Sequence, residues 1–275
     1  MELWYTEKQT AASGITLKVR RTLAAERTPF QDLAVLETEQ FGRMLVLDGM
    51  VQATLGDEFI YHEMITHIAM FTHPAPRKVA VIGGGDGGAI REILKHPTVE
   101  QAVLIEIDGK VIEACREHLP EIAGSLDDPR VQVRVEDGIR HVKENPNTYD
   151  VVLVDSTEPV GAAVGLFSSE FYTDIYSCLK EDGILVAQTE SPFYNKDLIR
   201  RSYAVIASLF PVARLYLASI PTYPSGLWSF TLGSKNFDPL AVAADRYHPI
   251  NTRYYTPELQ KSAFSLPAFV AELVK

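Results

Sequence analysis

The sequence predicts an α/β fold: a doubly wound, mostly parallel sheet preceded by a small antiparallel β domain. Three observations carry this. Five short apolar runs, KVAVIG, AVLIEID, VQVRV, YDVVLVDS and GILVAQT, alternate with helix-like stretches that begin near Gly87, Gly109, Gly138, Ser168 and Lys196. Runs that are apolar on both faces belong to parallel strands covered by helices on each side. Residues 1–56 lack a helical period and instead alternate or carry β-branched runs, in ITLKVRRTL, DLAVLETEQ and GRMLVLDGMVQAT, with turns at Phe41-Gly42 and Asp48-Gly49. The first parallel run ends in GGGDGG, a loop placed where such sheets bind ligands.

The elements follow in order. After the β unit, Ile60, Met64, Ile65, Ile68 and Phe71 recur at helical spacing, Asp57 stands where a cap is needed, and Pro74 and Pro76 stop the helix. The strand–helix alternation then runs to the helix at Lys196. Two late runs, ARLYLASI and LWSFTLGS, separated by a Pro/Gly turn, predict a terminal hairpin. The expected division is residues 1–56 as an N-terminal β domain and 57–275 as an α/β catalytic domain.

Composition narrows the function. The 275 residues are 46% hydrophobic and 23% charged, with 26 basic and 36 acidic side chains, a net charge of −10. No basic face for nucleic acid is expected from that balance, which suits cationic ligands instead. The two cysteines, Cys115 and Cys178, form no CxxC and read as inert buried thiols of a reducing compartment. The N-terminus MELWYTEKQT has no signal-peptide pattern, and no apolar run reaches the ~18 residues of a membrane span. A cytoplasmic protein is expected.

The residues just after each strand are acidic: Asp86, Glu106 with Asp108, Asp137 beside Gly138, and Asp155 with Glu158. Helix capping accounts for Asp108 and in part for Asp137. It does not account for acid at four consecutive strand ends. Glu106 lies at the end of the second strand, 20 residues after Asp86, where an acid accepts hydrogen bonds from both ribose hydroxyls. Asp137-Gly138 suits an adenine edge, the carboxylate accepting from the amino group. The glycines of GGGDGG admit close backbone approach, but Asp86 repels anions. A dinucleotide is therefore disfavoured, and an adenosine with a positive group, such as a sulfonium, is favoured. Asp155 and Glu158 converge on the same cavity, and three carboxylates need compensating cations. No Lys or Arg stands in these loops, so a diamine ligand is the simplest source.

HEMITH, from His62 to His67, is one residue too long for the zinc motif H-E-x-x-H, and at about 100° per residue its histidines diverge by roughly 140°. No metal site is expected. His62 reads as a groove residue and His67 as partly buried structure, while Phe171, Tyr172 and Tyr176 read as a core stripe.

GGGDGG, LIEID, VEDG, DSTEPVG, Phe171-Tyr172 and IPTYPSG, in this order within residues 4–235, resemble the spermidine synthase family of aminopropyltransferases, of bacterial type. The resemblance implies a Rossmann-like, methyltransferase-type catalytic domain behind a small β domain, assembled as a homodimer or homotetramer. It implies transfer of the aminopropyl group of decarboxylated S-adenosylmethionine to putrescine, giving spermidine and 5′-methylthioadenosine, with no cofactor and no metal. On the same ground Gln31, Gly83, Gly85, Asp86, Glu106, Ile107, Asp137, Gly138 and Ala162 would bind the donor. Tyr61, His62, Asp86, Asp155, Ser156, Thr157, Glu158 and Tyr223 would line the polyamine groove, with Trp4 as an aromatic wall at its far end. Asp155 would accept the proton, helped by Tyr61, Asp86 and Tyr223. Two departures stand out: Glu158 where the family commonly has Asp, and Gly161-Ala162-Ala163 where it commonly has Gly-Pro-Ala.

The chemistry explains the residue types. An amine attacks the carbon next to the sulfonium only as the free base. With an amine pKa near 10, about one molecule in a thousand is free at pH 7. A positioned carboxylate takes the proton, and the sulfonium charge lowers the amine pKa. Asp86 would clash with the carboxylate of ordinary S-adenosylmethionine, which argues against a diamine N-methyltransferase. A polyamine-binding protein without turnover would need no Glu106 or Asp137-Gly138. Spermidine, cadaverine and agmatine stay open as acceptors.

Overall fold

The computed structural model of the chain describes residues 2–157 and 165–275. The N-terminal sheet is an antiparallel meander in the order β1 (Leu3–Lys8), β2 (Gly14–Arg27), β3 (Asp32–Thr38), β4 (Arg43–Leu47) and β5 (Met50–Thr54). The β4–β5 turn is the expected Asp48-Gly49 pair, both at positive φ, 48° and 81°. That geometry matches the twist of a two-residue hairpin. Strand β1 was not foreseen, for a physical reason. Its Leu3 and Trp4 are exposed, whereas Glu7 is buried and accepts the Val51 N–H at 2.7 Å. The apolar pattern of this strand is thus inverted.

Helix α1 (Glu58–Thr72) follows, and every residue in it except Phe59 is buried. The second sheet has the order β11-β12-β10-β9-β6-β7-β8, comprising β6 (Lys78–Gly83), β7 (Gln101–Glu106), β8 (Val131–Val135), β9 (Tyr149–Asp155), β10 (Leu179–Gln188), β11 (Val212–Ser219) and β12 (Leu227–Ser234). Strands β6 to β10 run parallel, and among the described strands of this sheet β12 alone runs the other way, antiparallel to both β10 and β11. This is the predicted doubly wound sheet with its terminal hairpin. Consecutive residues of β6 enter opposite layers. Val79 and Val81 pack with Met64, Ile65 and Ile68 of α1, whereas Ala80 and Ile82 pack with Phe171, Tyr172 and Ile175. Both faces are therefore core, and the Phe171-Tyr172 stripe is part of it.

Helices α2 (Gly88–Ile93), α3 (Gly109–His118), α4 (Pro120–Ala123), α5 (Gly138–Glu144), α6 (Ser169–Cys178) and α7 (Lys196–Leu209) connect the strands, starting close to the expected residues. Two C-terminal helices, α8 (Pro257–Ser262) and α9 (Ala268–Ala271), are new; at six and four residues they are too short to show a period. The C-terminal segment is tied to α1 by Glu63, whose carboxylate accepts the N–H groups of Arg253, Tyr254 and Tyr255 at 2.7–2.8 Å. Cys115 and Cys178 are buried and unpaired, and burial pushes the Cys178 thiol up to about 12. Among the described residues no helix is long and apolar enough to cross a membrane.

Candidate active site

Strand order reverses between β6 and β9: from β6 the chain winds outward through β7 and β8, and from β9 it winds the other way. At such a switch point the loops beyond the strand ends part and leave a crevice. Here Gly83 pairs in register with Asp155, which sets the glycine loop against the acidic end of β9. A Cβ on Gly83 would lie 2.2 Å from the Asp155 carbonyl oxygen, and one on Gly84 would lie 2.6 Å from Asp155 Oδ2. Both glycines also hold positive φ, 82° and 66°. Only glycine lets this loop approach so closely.

The crevice is closed from two other directions. Asp57, expected to cap α1, makes no side-chain cap. Its carboxylate instead accepts from Thr54 Oγ1 at 2.6 Å and from the Thr222 N–H and hydroxyl at 2.8 and 2.7 Å. It thereby ties the end of β5, the start of α1 and the 220–226 loop together, so that Tyr61 and Tyr223 stand with ring centres 5.8 Å apart. Gln31 donates to Asp108 Oδ2 at 2.9 Å, joining the N-terminal sheet to the β7–α3 loop.

One cavity gathers almost every expected site residue: Gln31, Tyr61, His62, Gly83, Gly85, Asp86, Glu106, Ile107, Asp137, Gly138, Asp155, Ser156, Thr157 and Tyr223 all line it. Asp108 and Asp137 also cap α3 and α5, accepting from Lys110 and Ile139 N–H at 3.1 and 2.8 Å. The capping and the ligand-wall readings of Asp137 are therefore both compatible with its position. Glu158 and Ala162, with Gly161 and Ala163, lie outside the described residues. Trp4 is not brought to the cavity of its own chain. It sits on β1, 54% exposed, whereas the cavity takes its N-terminal wall from the β2–β3 loop, β4, β5 and the β4–β5 turn.

Asp155 is half-buried, and the burial of its carboxyl together with neighbouring Asp86 pushes it up to about 6, with His62 and Tyr61 opposing. Its Oδ1 accepts the Tyr61 hydroxyl at 2.6 Å, and its buried Oδ2 has no hydrogen-bond partner. An oxygen desolvated and unmatched in this way favours an incoming N–H donor. Burial raises Glu106 to about 7, although its Oε1 accepts the Asp108 N–H at 2.9 Å. The Tyr223 hydroxyl donates to the Gln52 carbonyl at 2.6 Å, so its proton is committed to β5.

Sequence reasoning missed the protein's own cation at this site. Glu58 and His62 are four apart on α1, the spacing at which helix side chains meet. Arg91 reaches Glu58 from α2. That i,i+4 pair was the available signal. Trp228, Gln188 and Met50, also unforeseen, complete the walls. HEMITH divides as its spacing predicts. His62 faces Asp86, while His67 is fully rather than partly buried, 3.0 Å from His96 and 3.0 Å from Glu92.

A switch-point crevice that gathers Asp86, Glu106, Asp137 and Asp155 around one cavity is the architecture of a ligand-binding α/β enzyme. Residues 58–243 match the family model described as the spermine/spermidine synthase domain, and residues 3–54 that of the spermidine synthase tetramerisation domain. The polyamine aminopropyltransferase of Caldicellulosiruptor bescii is 62% identical over 275 residues, covering 100% of this chain and 99% of that protein. The polyamine aminopropyltransferase of Bacillus mycoides is 58% identical, with 100% of both covered. A crystal structure of a spermidine synthase in complex with the transition-state analogue AdoDATO superposes with a TM-score of 0.94 at 40% identity, covering 99% of this chain and 94% of that one. The spermidine synthase of Thermotoga maritima gives 0.91 at 40% identity and the same coverage. The chain belongs to the spermine/spermidine synthase family and is an aminopropyltransferase.

Proposed function

We propose that the enzyme transfers the aminopropyl group of decarboxylated S-adenosylmethionine to putrescine, yielding spermidine and 5′-methylthioadenosine. The observation that carries the reading is Asp155: one oxygen fixed by Tyr61, the other buried and unpartnered, with Asp86 beside it. The relatives named above as polyamine aminopropyltransferases support it.

The amine lone pair attacks the carbon next to the sulfonium. A C–N bond forms, the C–S bond breaks with its electron pair passing to sulfur, and the surplus proton on nitrogen goes to Asp155 Oδ2. A carboxyl near 6 is ionised at neutral pH yet more basic than a free aspartate, a useful compromise for a base. Tyr61 orients that carboxylate. Asp86 holds the donor's ammonium and rejects a donor that carries a carboxylate there.

Gln31, Gly83, Gly85, Glu106, Ile107, Asp137 and Gly138 bind the nucleoside in this reading, to which the family resemblance adds Ala162, outside the described residues. His62, Ser156, Thr157 and Tyr223 line the acceptor's path, and the family resemblance adds Glu158, outside the described residues. The reaction needs no metal or cofactor, the donor being a co-substrate. A homodimer or homotetramer in the cytoplasm completes the reading, the tetramerisation-domain match supporting assembly.

Incubation with the decarboxylated donor and a panel of amines, with products identified by mass, tests it. Spermidine from putrescine is the expected product. Product only from spermidine, cadaverine or agmatine would overturn the acceptor, and methylated amine from ordinary S-adenosylmethionine would overturn the reaction.

A further inference from the structure

Asp86 is buried, and its Oδ1 accepts the Gly88 N–H at 2.8 Å while facing His62 Nε2 at 3.3 Å. The other ring nitrogen of His62, Nδ1, lies 2.6 Å from Glu58 Oε2. A neutral imidazole carries one N–H. Between two carboxylates it would turn a lone pair toward one of them, so only the imidazolium presents an N–H to each. Glu58 is in turn gripped by the Arg91 fork, Nη1 to Oε1 at 3.0 Å and Nη2 to Oε2 at 2.8 Å. Arg91 is anchored further by Glu92 Oε1 at 2.9 Å and the Glu121 carbonyl at 3.2 Å. Four side chains of alternating charge thus run from α2 to the cavity: Arg91, Glu58, His62, Asp86. The ring is also trapped sterically, since a Cβ on Gly88 would lie 2.3 Å from it.

We infer that Glu58 and Arg91 are positioning residues for the transfer reaction: through His62, held between Glu58 and Asp86, they keep Asp86 ionised, with Oδ1 committed to the protein and Oδ2 left for the donor's cationic tail. The inference rests on the reading of Asp86 as the partner of that tail. Asp86 is faced by His62 from α1, by Asp155 from β9, by Cys115 from α3 and, at longer range, by Arg91 from α2. Asp155 is faced by Asp86, by His62 and Tyr61 of α1, and by Glu106 of β7. Two adjacent desolvated carboxylates do not both ionise readily without a cation, and among the described residues His62 is the cation that faces both. Both electrostatic directions agree with the geometry. Glu58 and Asp86 lift His62 well above the usual histidine value against its burial, and His62 with the Gly88 N–H holds Asp86 below its usual value against burial.

The test compares wild type with Glu58→Gln, Arg91→Gln and Arg91→Lys, each first checked by thermal melting for a folded state. Kinetics are measured from pH 5.5 to 9, with both substrates varied. Glu58→Gln and Arg91→Gln are expected to raise the donor KM about tenfold with little change in acceptor KM. They are also expected to move the acid limb of kcat/KM upward by about one pH unit, because an uncompensated Asp86 opposes ionisation of Asp155. Arg91→Lys should recover most of both effects. Folded variants that keep the wild-type donor KM and acid limb overturn the inference, and where Glu58→Gln does not fold the Arg91 pair decides alone. Ring 15N NMR of the unliganded enzyme, assigned with His62→Gln, gives a readout independent of turnover. His62 doubly protonated at pH 8 in wild type and singly protonated in Glu58→Gln is expected; a singly protonated wild-type ring overturns the inference. Absence of any aminopropyl product from wild type defeats the functional reading, whereas product with unshifted variants defeats only this one.

Discussion

Replacing Tyr61 by Phe removes one hydroxyl and changes little else, because the ring stays packed against Phe230 and Tyr223, 5.4 and 5.8 Å away between centres. What is lost is the 2.6 Å hydrogen bond to Asp155 Oδ1. That bond favours the ionised carboxylate, so its loss must raise the pKa. A hydrogen bond to a charged group contributes about 1.5–3 kcal/mol. At 1.36 kcal/mol per unit this corresponds to a rise of roughly 1–2 units. The smaller figure applies if water fills the gap, carrying Asp155 from about 6 to roughly 7. Wild-type Asp155 is then about nine-tenths ionised at pH 7 and half at pH 6, against about a half and a tenth in the variant. The rate should fall about twofold at pH 7 and about fivefold at pH 6, with the pH-dependent loss gone by pH 9. The assay is kcat/KM for putrescine at saturating donor, read as released methylthioadenosine. A variant profile that runs parallel to wild type, lowered equally at every pH, would refute the claim that Tyr61 acts by tuning Asp155.

Asp155→Asn should lower kcat by about 10²–10⁴-fold with the donor KM little changed, since only the proton acceptor is lost; near-normal kcat would move the base elsewhere. Glu106→Gln should raise the donor KM about tenfold to a hundredfold, the worth of a charge-assisted bond to a ribose hydroxyl, and an unaltered KM would detach Glu106 from the nucleoside. His96 is buried beside His67, and burial with that neighbour holds it down to about 2, so the folded chain keeps it neutral while the unfolded chain protonates it near 6.5. Its folded value is depressed, and stability is therefore lost as pH falls below 6.5, by about 2 kcal/mol at pH 5. Urea midpoints at pH 7.5 and 5 should drop less in His96→Gln than in wild type, and an equal drop in both would show that other groups dominate.

The parallel sheet was legible because its strands are apolar on both faces, a pattern that α1 shares and that distinguishes buried elements without reference to partners. The donor wall was legible for a similar reason: topology forces the ends of successive parallel strands to one edge, so Asp86, Glu106, Asp137 and Asp155 could be grouped before any contact was known. Elements whose side chains break the usual sorting were not legible. Strand β1 buries Glu7 and exposes Trp4, so it carries no alternation to detect, and the aromatic expected at the groove faces outward on the far strand of its sheet. Asp57 has the sequence position of a cap but its carboxylate is drawn to Thr222, 165 residues away, a partner that no local rule contains.

The compensating charge was missed for a related reason. Cations were sought in the strand-end loops, where the carboxylates stand, and those loops hold none. The cation instead comes from α1, the helix that precedes the sheet, and its charge depends on Asp86 and on Glu58, which Arg91, 33 residues further on, holds in place. The five-step separation within HEMITH, which removes it from the zinc motif, also directs the two histidines to different tasks. His62 lies between Glu58 and Asp86, whose charges lift its proton affinity, whereas His67 and His96 lie against each other, where burial lowers theirs. One buried histidine thus stays charged and the other two stay neutral, on opposite sides of the same helix. Asp86 in the glycine loop therefore faces an incoming cation as an ionised group whose own countercharge is already supplied, so donor binding need not create the anion that holds it.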